Sequence, residues 1–134
     1  MKSEILGFDY EPIQGQRLIR ALGKVPLSCD DGSVVFDDVR LHLDKCSLSF
    51  SVDLDTDEII STLSKETHDE DATWVDVNAL APYINSDIGW LWVGRNWLGY
   101  ADMVTISFSG IEPRLMLVGV ASKINLYRLD KLGH

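Results

Sequence analysis

The sequence predicts an α+β domain that is mainly β: an antiparallel sheet or strongly bent β-sandwich with one or two short helices, in a single domain over 1–134. Three observations predict it. Residues 39–43 and 46–54 alternate apolar and polar side chains with the two-residue period of half-buried strands. Turn signals recur at short intervals, at Asp31-Gly32, Asp44-Lys45, 96–99 and Ser109-Gly110. Little between them has the length of a helix, which is the pattern of sequential antiparallel strands and not of alternating β and α units.

Each element follows from its residues. Residues 4–10 read as a short strand. Residues 16–22 place Leu18, Ile19 and Leu22 at helical spacing, with Gly23 where a C-terminal cap would sit. After the Asp31-Gly32 turn, Val34, Val35 and Phe36 begin an extended run. Val39, Leu41 and Leu43 then alternate with Arg40 and His42. Cys46, Leu48, Phe50, Val52 and Leu54 alternate with Ser47, Ser49, Ser51 and Asp53, the cleanest two-residue period in the chain. Ile59 and Ile60 open a further strand, and 64–71 is a polar loop. Asp76 is placed to cap a short helix holding Ala79, Leu80, Tyr83 and Ile84, shortened by Pro82. Three strands follow: one around Trp90, Trp92 and Val93, one over 100–108, and one long strand over 114–127.

With 46% hydrophobic and 25% charged residues in 134, the chain has the composition of an ordinary soluble domain. It is long enough to bury a core without metal or disulfide staples. Its charge is unevenly spread. Residues 37–71 hold eleven acidic and three basic residues and so carry −8 of the net −9. No run of more than two basic side chains occurs, which argues against the phosphate-neutralising patch of a nucleic-acid binder and disfavours an anionic membrane surface. A basic protein, a cationic ligand or a metal ion would be drawn to such a field.

Cys29 and Cys46 have neither redox-pair nor zinc-ligand spacing. The N-terminal residues are polar where a signal peptide needs an apolar run, and no stretch approaches a membrane span. The expectation is a cytoplasmic protein with reduced thiols, the alternative being a Cys29–Cys46 disulfide in an exported one.

Two segments are candidates for function. In Asp53-Leu54-Asp55-Thr56-Asp57-Glu58, an extended chain points the carboxylates of Asp53, Asp55 and Asp57 to one face, where a hard divalent cation would relieve their repulsion. The fit to an EF-hand loop fails at Glu58, where glycine is needed, and at Ser64, where the bidentate glutamate belongs. The competing reading is a solvated turn capped by its own aspartates. In segment 90–102, three of the four tryptophans fall within eight residues. Trp90 and Trp92 share one strand face and are expected in the core, while Tyr100 is a candidate binding residue with burial in the sheet as the competing reading. Trp97 lies in the turn, where a binding role is as reasonable as burial, with Asn96 and Asp102 as polar anchors; Trp, Tyr and Arg are the residue types of binding hot spots. His42, His68 and His134 lack metal-site spacing and are expected on the solvated surface. No nucleophile elbow, P-loop or dinucleotide fingerprint is present.

The motifs Asp55-Thr56-Asp57-Glu58-Ile59, Gly89-Trp90-x-Trp92, Asn96-x-x-Gly99-Tyr100-x-Asp102 and Ala121-Ser122-x-Ile124 resemble those of a family of small bacterial proteins, a domain of unknown function. The likeness covers residues 34–127. It implies a bacterial cytoplasmic protein and brings no activity, cofactor or catalytic residue. The functional expectation is a non-enzymatic binding protein, of an immunity or accessory type, that neutralises a basic protein partner. The alternative is a small-ligand or divalent-metal protein, possibly an enzyme, using Asp53, Asp55, Asp57 and the 90–102 segment. A homodimer through a sheet edge or the Trp segment is compatible with either.

Overall fold

A computed structural model describes residues 6–26, 34–65 and 70–132. Within them ten strands form two antiparallel five-stranded sheets. The strands are β1 (Leu18–Lys24), β2 (Val35–Phe36), β3 (Asp38–Leu43), β4 (Ser47–Val52), β5 (Ile59–Ser64), β6 (Trp74–Asp76), β7 (Ile88–Gly94), β8 (Met103–Phe108), β9 (Pro113–Val120) and β10 (Lys123–Arg128). A short 3₁₀ helix, Asn78–Tyr83, joins β6 to β7. One sheet runs β5-β4-β3-β1-β6 and the other β2-β10-β9-β8-β7. The mainly-β antiparallel class is as the sequence predicts.

The alternation in β3 and β4 sets the core. Val39, Leu41, Leu43, Leu48 and Phe50 from the first sheet share one buried cluster with Val104, Ile106, Leu115, Leu117, Ile124 and Leu126 from the second. Each such side chain gains about 1.5–3 kcal/mol from full burial. A one-residue slip of β3 would expose Val39, Leu41 and Leu43 and bury Arg40 and His42, so the register Val39↔Phe50 and Leu41↔Leu48 is strongly specified.

One stretch of chain serves both sheets. β2 and β3 are separated only by Asp37, yet β2 pairs with β10 and β3 with β1 and β4. The Asp37 N–H donates to the Lys24 carbonyl at 2.9 Å, and the Lys123 ammonium lies 3.0 Å from the Asp37 carboxylate. Both contacts pin the corner. Phe36 lies over Gly23, where a Cβ would overlap its ring.

Several local expectations are overturned. Residues 6–10 form no strand; Gly7 at φ 78° breaks the extension, and Phe8 and Tyr10 fold back on the core. The Tyr10 hydroxyl donates to the Gly89 carbonyl at 2.7 Å, and burial raises its pKa above the usual phenol value. Residues 16–22 are not a helix: Arg17 makes an isolated bridge to Asp87 and β1 starts at Leu18. An irregularity between Leu18 and Arg20 shifts the side-chain phase, so the apolar residues fall at helix-like spacing in an extended strand. Gly23 is the seat of Phe36 and not a helix cap.

The long strand over 114–127 is a hairpin, β9–β10, folded at Ala121 and Ser122 with φ of 51° and 65°. Two successive residues of positive φ are what a tight hairpin of this hand requires. β4 ends at Val52, so Leu54 is 76% exposed in the following turn. Asp76 caps no helix: it ends β6 and accepts a hydrogen bond from Arg20 Nε at 2.9 Å. The helix after it is a single short 3₁₀ segment entered without a side-chain cap, and it buries Leu80. Cys46 is a free, half-buried thiol. Cys29, the Asp31-Gly32 turn, His68 and His134 lie outside the described residues.

Candidate functional site

The acidic turn connects β4 to β5. Its carboxylates are largely spent on backbone. Asp53 Oδ1 accepts the N–H groups of Asp55 at 2.9 Å and Thr56 at 3.1 Å, an Asx turn. These two backbone donors hold the Asp53 carboxyl below its ordinary pKa. Asp57 has φ 61° and accepts the Ser122 N–H at 2.8 Å, across from the β9–β10 turn. Glu58 accepts the Ala101 N–H at 3.0 Å and the Thr56 hydroxyl at 3.2 Å. Asp55 points its exposed side chain outward.

The three aspartates therefore do not line one face of an extended strand, because the chain turns between them. Among the described residues no group of three or more His, Cys, Asp or Glu side chains is placed to hold a metal ion.

The aromatic segment follows the same logic. Asn96 organises loop 95–102: its Oδ1 accepts the N–H groups of Leu98 at 2.9 Å and Tyr100 at 3.2 Å, and its Nδ2 donates to Asp102 Oδ2 at 3.1 Å. Arg95 Nη1 donates to the Gly99 carbonyl at 3.1 Å. Asn96 and Asp102 thus anchor the loop itself. With its backbone turned inward, the loop turns its large side chains out: Trp97 is 91% exposed, and Leu98 and Tyr100 are exposed beside it. Trp90 and Trp92 share a face, as expected, with ring centroids 6.3 Å apart, but it is the outer face of edge strand β7. They are 51% and 36% exposed and do not belong to the core, which on this strand takes Ile88 and Leu91.

The two candidate segments meet. Besides the Glu58–Ala101 bond, the Ile59 N–H donates to the Ala101 carbonyl and the Gly119 N–H to the Asp102 carbonyl, each at 2.9 Å. Gly119 is glycine for a reason, since a Cβ there would overlap the Asp57 carbonyl oxygen. Turn 53–58, loop 95–102 and the 121–122 turn form one clasp between the sheets. Its outer rim carries the exposed Asp55, Trp97, Leu98 and Tyr100.

A second cluster escaped the sequence. His42 is not a solvated surface residue. Its Nδ1 is 2.8 Å from Ser47 Oγ, and its Nε2 is 3.0 Å from Glu70 Oε2. The same Glu70 oxygen accepts Arg40 Nη1 at 2.6 Å, and the Arg40 guanidinium lies 4.2 Å over the Trp74 ring. Burial pushes the Glu70 carboxyl up in pKa, but the bonds from Arg40 and His42 outweigh it and hold it below its ordinary value. Only the cross-strand pairs Arg40↔Ser49 and His42↔Ser47 are readable from alternation. Glu70 arrives from a loop some thirty positions away, and no local pattern announces it.

Fold and site define a small antiparallel β-sandwich protein whose sheets are clasped by an acidic turn against an aromatic loop. Three of its four motif-bearing segments, 55–59, 96–102 and 121–124, meet in that clasp, and Gly89–Trp92 lies apart on edge strand β7. The chain belongs to DUF6334, a family of unknown function whose family model matches residues 1–133. The match takes in the N-terminal third, beyond the reach of the short motifs. No curated protein and no solved structure matches the chain. Among the described residues no helix is long and apolar enough to cross a membrane.

Proposed function

We propose that this is a non-enzymatic, cytoplasmic bacterial binding protein of an immunity or accessory type, which takes a basic protein partner on the rim of the clasp. The observation that carries the reading is the juxtaposition of the exposed Trp97, Leu98 and Tyr100 with the acidic turn, on a support held by hydrogen bonds. Exposed aromatics on a preorganised loop are suited to act as anchors, since little side-chain or loop entropy remains to be lost on binding. The acidic turn beside them, within the segment carrying −8, would steer a basic surface and make association salt-dependent.

The test is affinity capture from host lysate at low and high salt, with Trp97→Ala and Asp55→Lys variants alongside. A basic protein retained at low salt, released by salt and lost with both substitutions supports the reading. Capture that ignores salt and both substitutions overturns it.

A further inference from the structure

A separate feature lies at the opposite end of the β4–β5 hairpin, roughly 20 Å from the acidic turn at about 3.4 Å per strand residue. The three basic residues of the acidic segment, Arg40, Lys45 and Lys65, all fall on or beside the outer side of the first sheet at this end. Arg40 is taken by Glu70. Lys45 and Lys65 are not: among the described residues neither ammonium has an ion-pair partner.

Both lysines line two adjoining cavities of about 330 and 450 Å³, and Cys46 is the third residue the cavities share. The smaller is the more enclosed and has the volume of a small-molecule site, while the larger is a shallow groove beside it. The smaller one continues onto apolar walls from Pro12, Ile13 and Leu63. The larger one opens toward Ser47 and His42.

Two of the three carboxylates along the cleft are paired with arginines: Asp44 lies 3.7 Å from Arg17 Nε and Glu70 2.6 Å from Arg40 Nη1, while Asp9 accepts the Glu11 backbone N–H at 3.1 Å and keeps its charge. Outside those ion pairs the described lining sets the two lysine charges against the one Asp9 carboxylate, a residual positive charge in a protein of net charge −9. Burial raises the Cys46 thiol above its ordinary pKa, which keeps it neutral and apolar in character beside the lysines.

From this geometry we infer that the cleft binds a small amphipathic organic anion: a carboxylate or phosphate-monoester head between Lys45 and Lys65, with an aliphatic body against Pro12, Ile13 and Leu63. A cationic site at the mouth of an apolar cavity selects such a ligand over a neutral one by charge and over a bare ion by the apolar contact. The assignment is independent of the protein-binding rim.

The experiment uses the full chain carrying Cys29→Ser, so that Cys46 is the single thiol. Octanoate, octyl phosphate, octylamine and inorganic phosphate are titrated. Alkylation of Cys46 and the methyl signals of Ile13 and Leu63 are followed. Saturable protection of Cys46 by octanoate or octyl phosphate is expected, and the tighter of the two identifies the head group. The Lys45→Gln/Lys65→Gln variant should weaken that binding by about tenfold or more, as loss of charged hydrogen bonds does. Its melting temperature without ligand, unchanged from the parent, separates this from misfolding. The inference is overturned if neither anion protects the thiol, or if octylamine binds as tightly. Inorganic phosphate matching octyl phosphate would equally refute the amphipathic assignment, and unchanged affinity in the double variant would refute the role of the lysines.

Discussion

Gly119→Ala is the most demanding test of the clasp. Gly119 lies in β9 against the carbonyl oxygen of Asp57, and that oxygen is backbone, so it cannot rotate away from an added methyl group. Either β9 or the acidic turn must move. Moving the turn strains Ser122 N–H to Asp57, Ala101 N–H to Glu58 and Ile59 N–H to Ala101, and moving β9 strains Gly119 N–H to Asp102, four hydrogen bonds all between 2.8 and 3.0 Å. Overpacking of this kind costs about 1–3 kcal/mol. Each bond lost adds about 1 kcal/mol, and more where a carboxylate is the acceptor. With two of the four broken, the expected loss is about 3–5 kcal/mol, a large share of the stability of an ordinary domain. Urea denaturation reads this directly, and the melting temperature should fall by on the order of 10 °C. Asp57→Ala supplies the second corner of a double-mutant cycle. Once the turn has been displaced by the methyl group, removing the Asp57 carboxylate should cost less than it does in the parent, with a coupling of about 1 kcal/mol or more. A Gly119→Ala change under about 1 kcal/mol, or strict additivity with Asp57→Ala, would refute the description of the turn as seated on β9.

Three further outcomes are expected. Phe50→Ala, at a fully buried position, should destabilise by about 3–5 kcal/mol in the same assay, and a loss under about 1 kcal/mol would mean β4 is out of phase. Ser122→Gly should stabilise by about 1 kcal/mol, since it relieves the left-handed backbone while keeping the N–H that Asp57 accepts; a destabilised variant would contradict the turn geometry. Glu70 has its folded-state pKa lowered, so its contribution is fully present above the unfolded value near about 4.3 and is lost as pH falls through the lower folded value. Glu70→Gln should flatten that part of the acid limb of a stability–pH curve, and a variant curve parallel to the parent's would exclude the Arg40–Glu70–His42 cluster as its origin.

What was legible in the chain follows from how local the determinants are. β3 and β4 could be read because one face is buried and the other wet, which writes a two-residue period into Val39 through Phe50. β1 was misread because Leu18, Ile19 and Leu22 have spacings that also suit a helix, whereas the irregularity in the strand buries Leu18, Ala21 and Leu22 and leaves Ile19 exposed. The β9–β10 turn was missed because Ala121 and Ser122 carry no glycine or asparagine signal, the positive φ being supported by Asp57 from another part of the chain. The acidic turn and the Asn96-to-Asp102 loop stand out in the sequence by their composition alone. That they bond to one another could not be read, because the donors are backbone N–H groups more than forty residues away. Trp90 and Trp92 were assigned to the core on size alone, but phase on an edge strand decides their exposure.

The corner at Asp37 sets a timetable for synthesis. The first sheet is complete in composition once Asp76 has left the ribosome. Among the described residues β2 pairs within its own sheet with β10 alone, and β10 begins at Lys123. For most of translation the Phe36 ring must wait, attached to a strand already in place but without the sheet that covers it. Non-local pairings of this kind form late and leave apolar surface open to other chains in the meantime. A truncation before Lys123 would therefore be expected to give an aggregating chain and not a smaller sandwich, and the last few strands act as the lock on a fold whose first half is made long before.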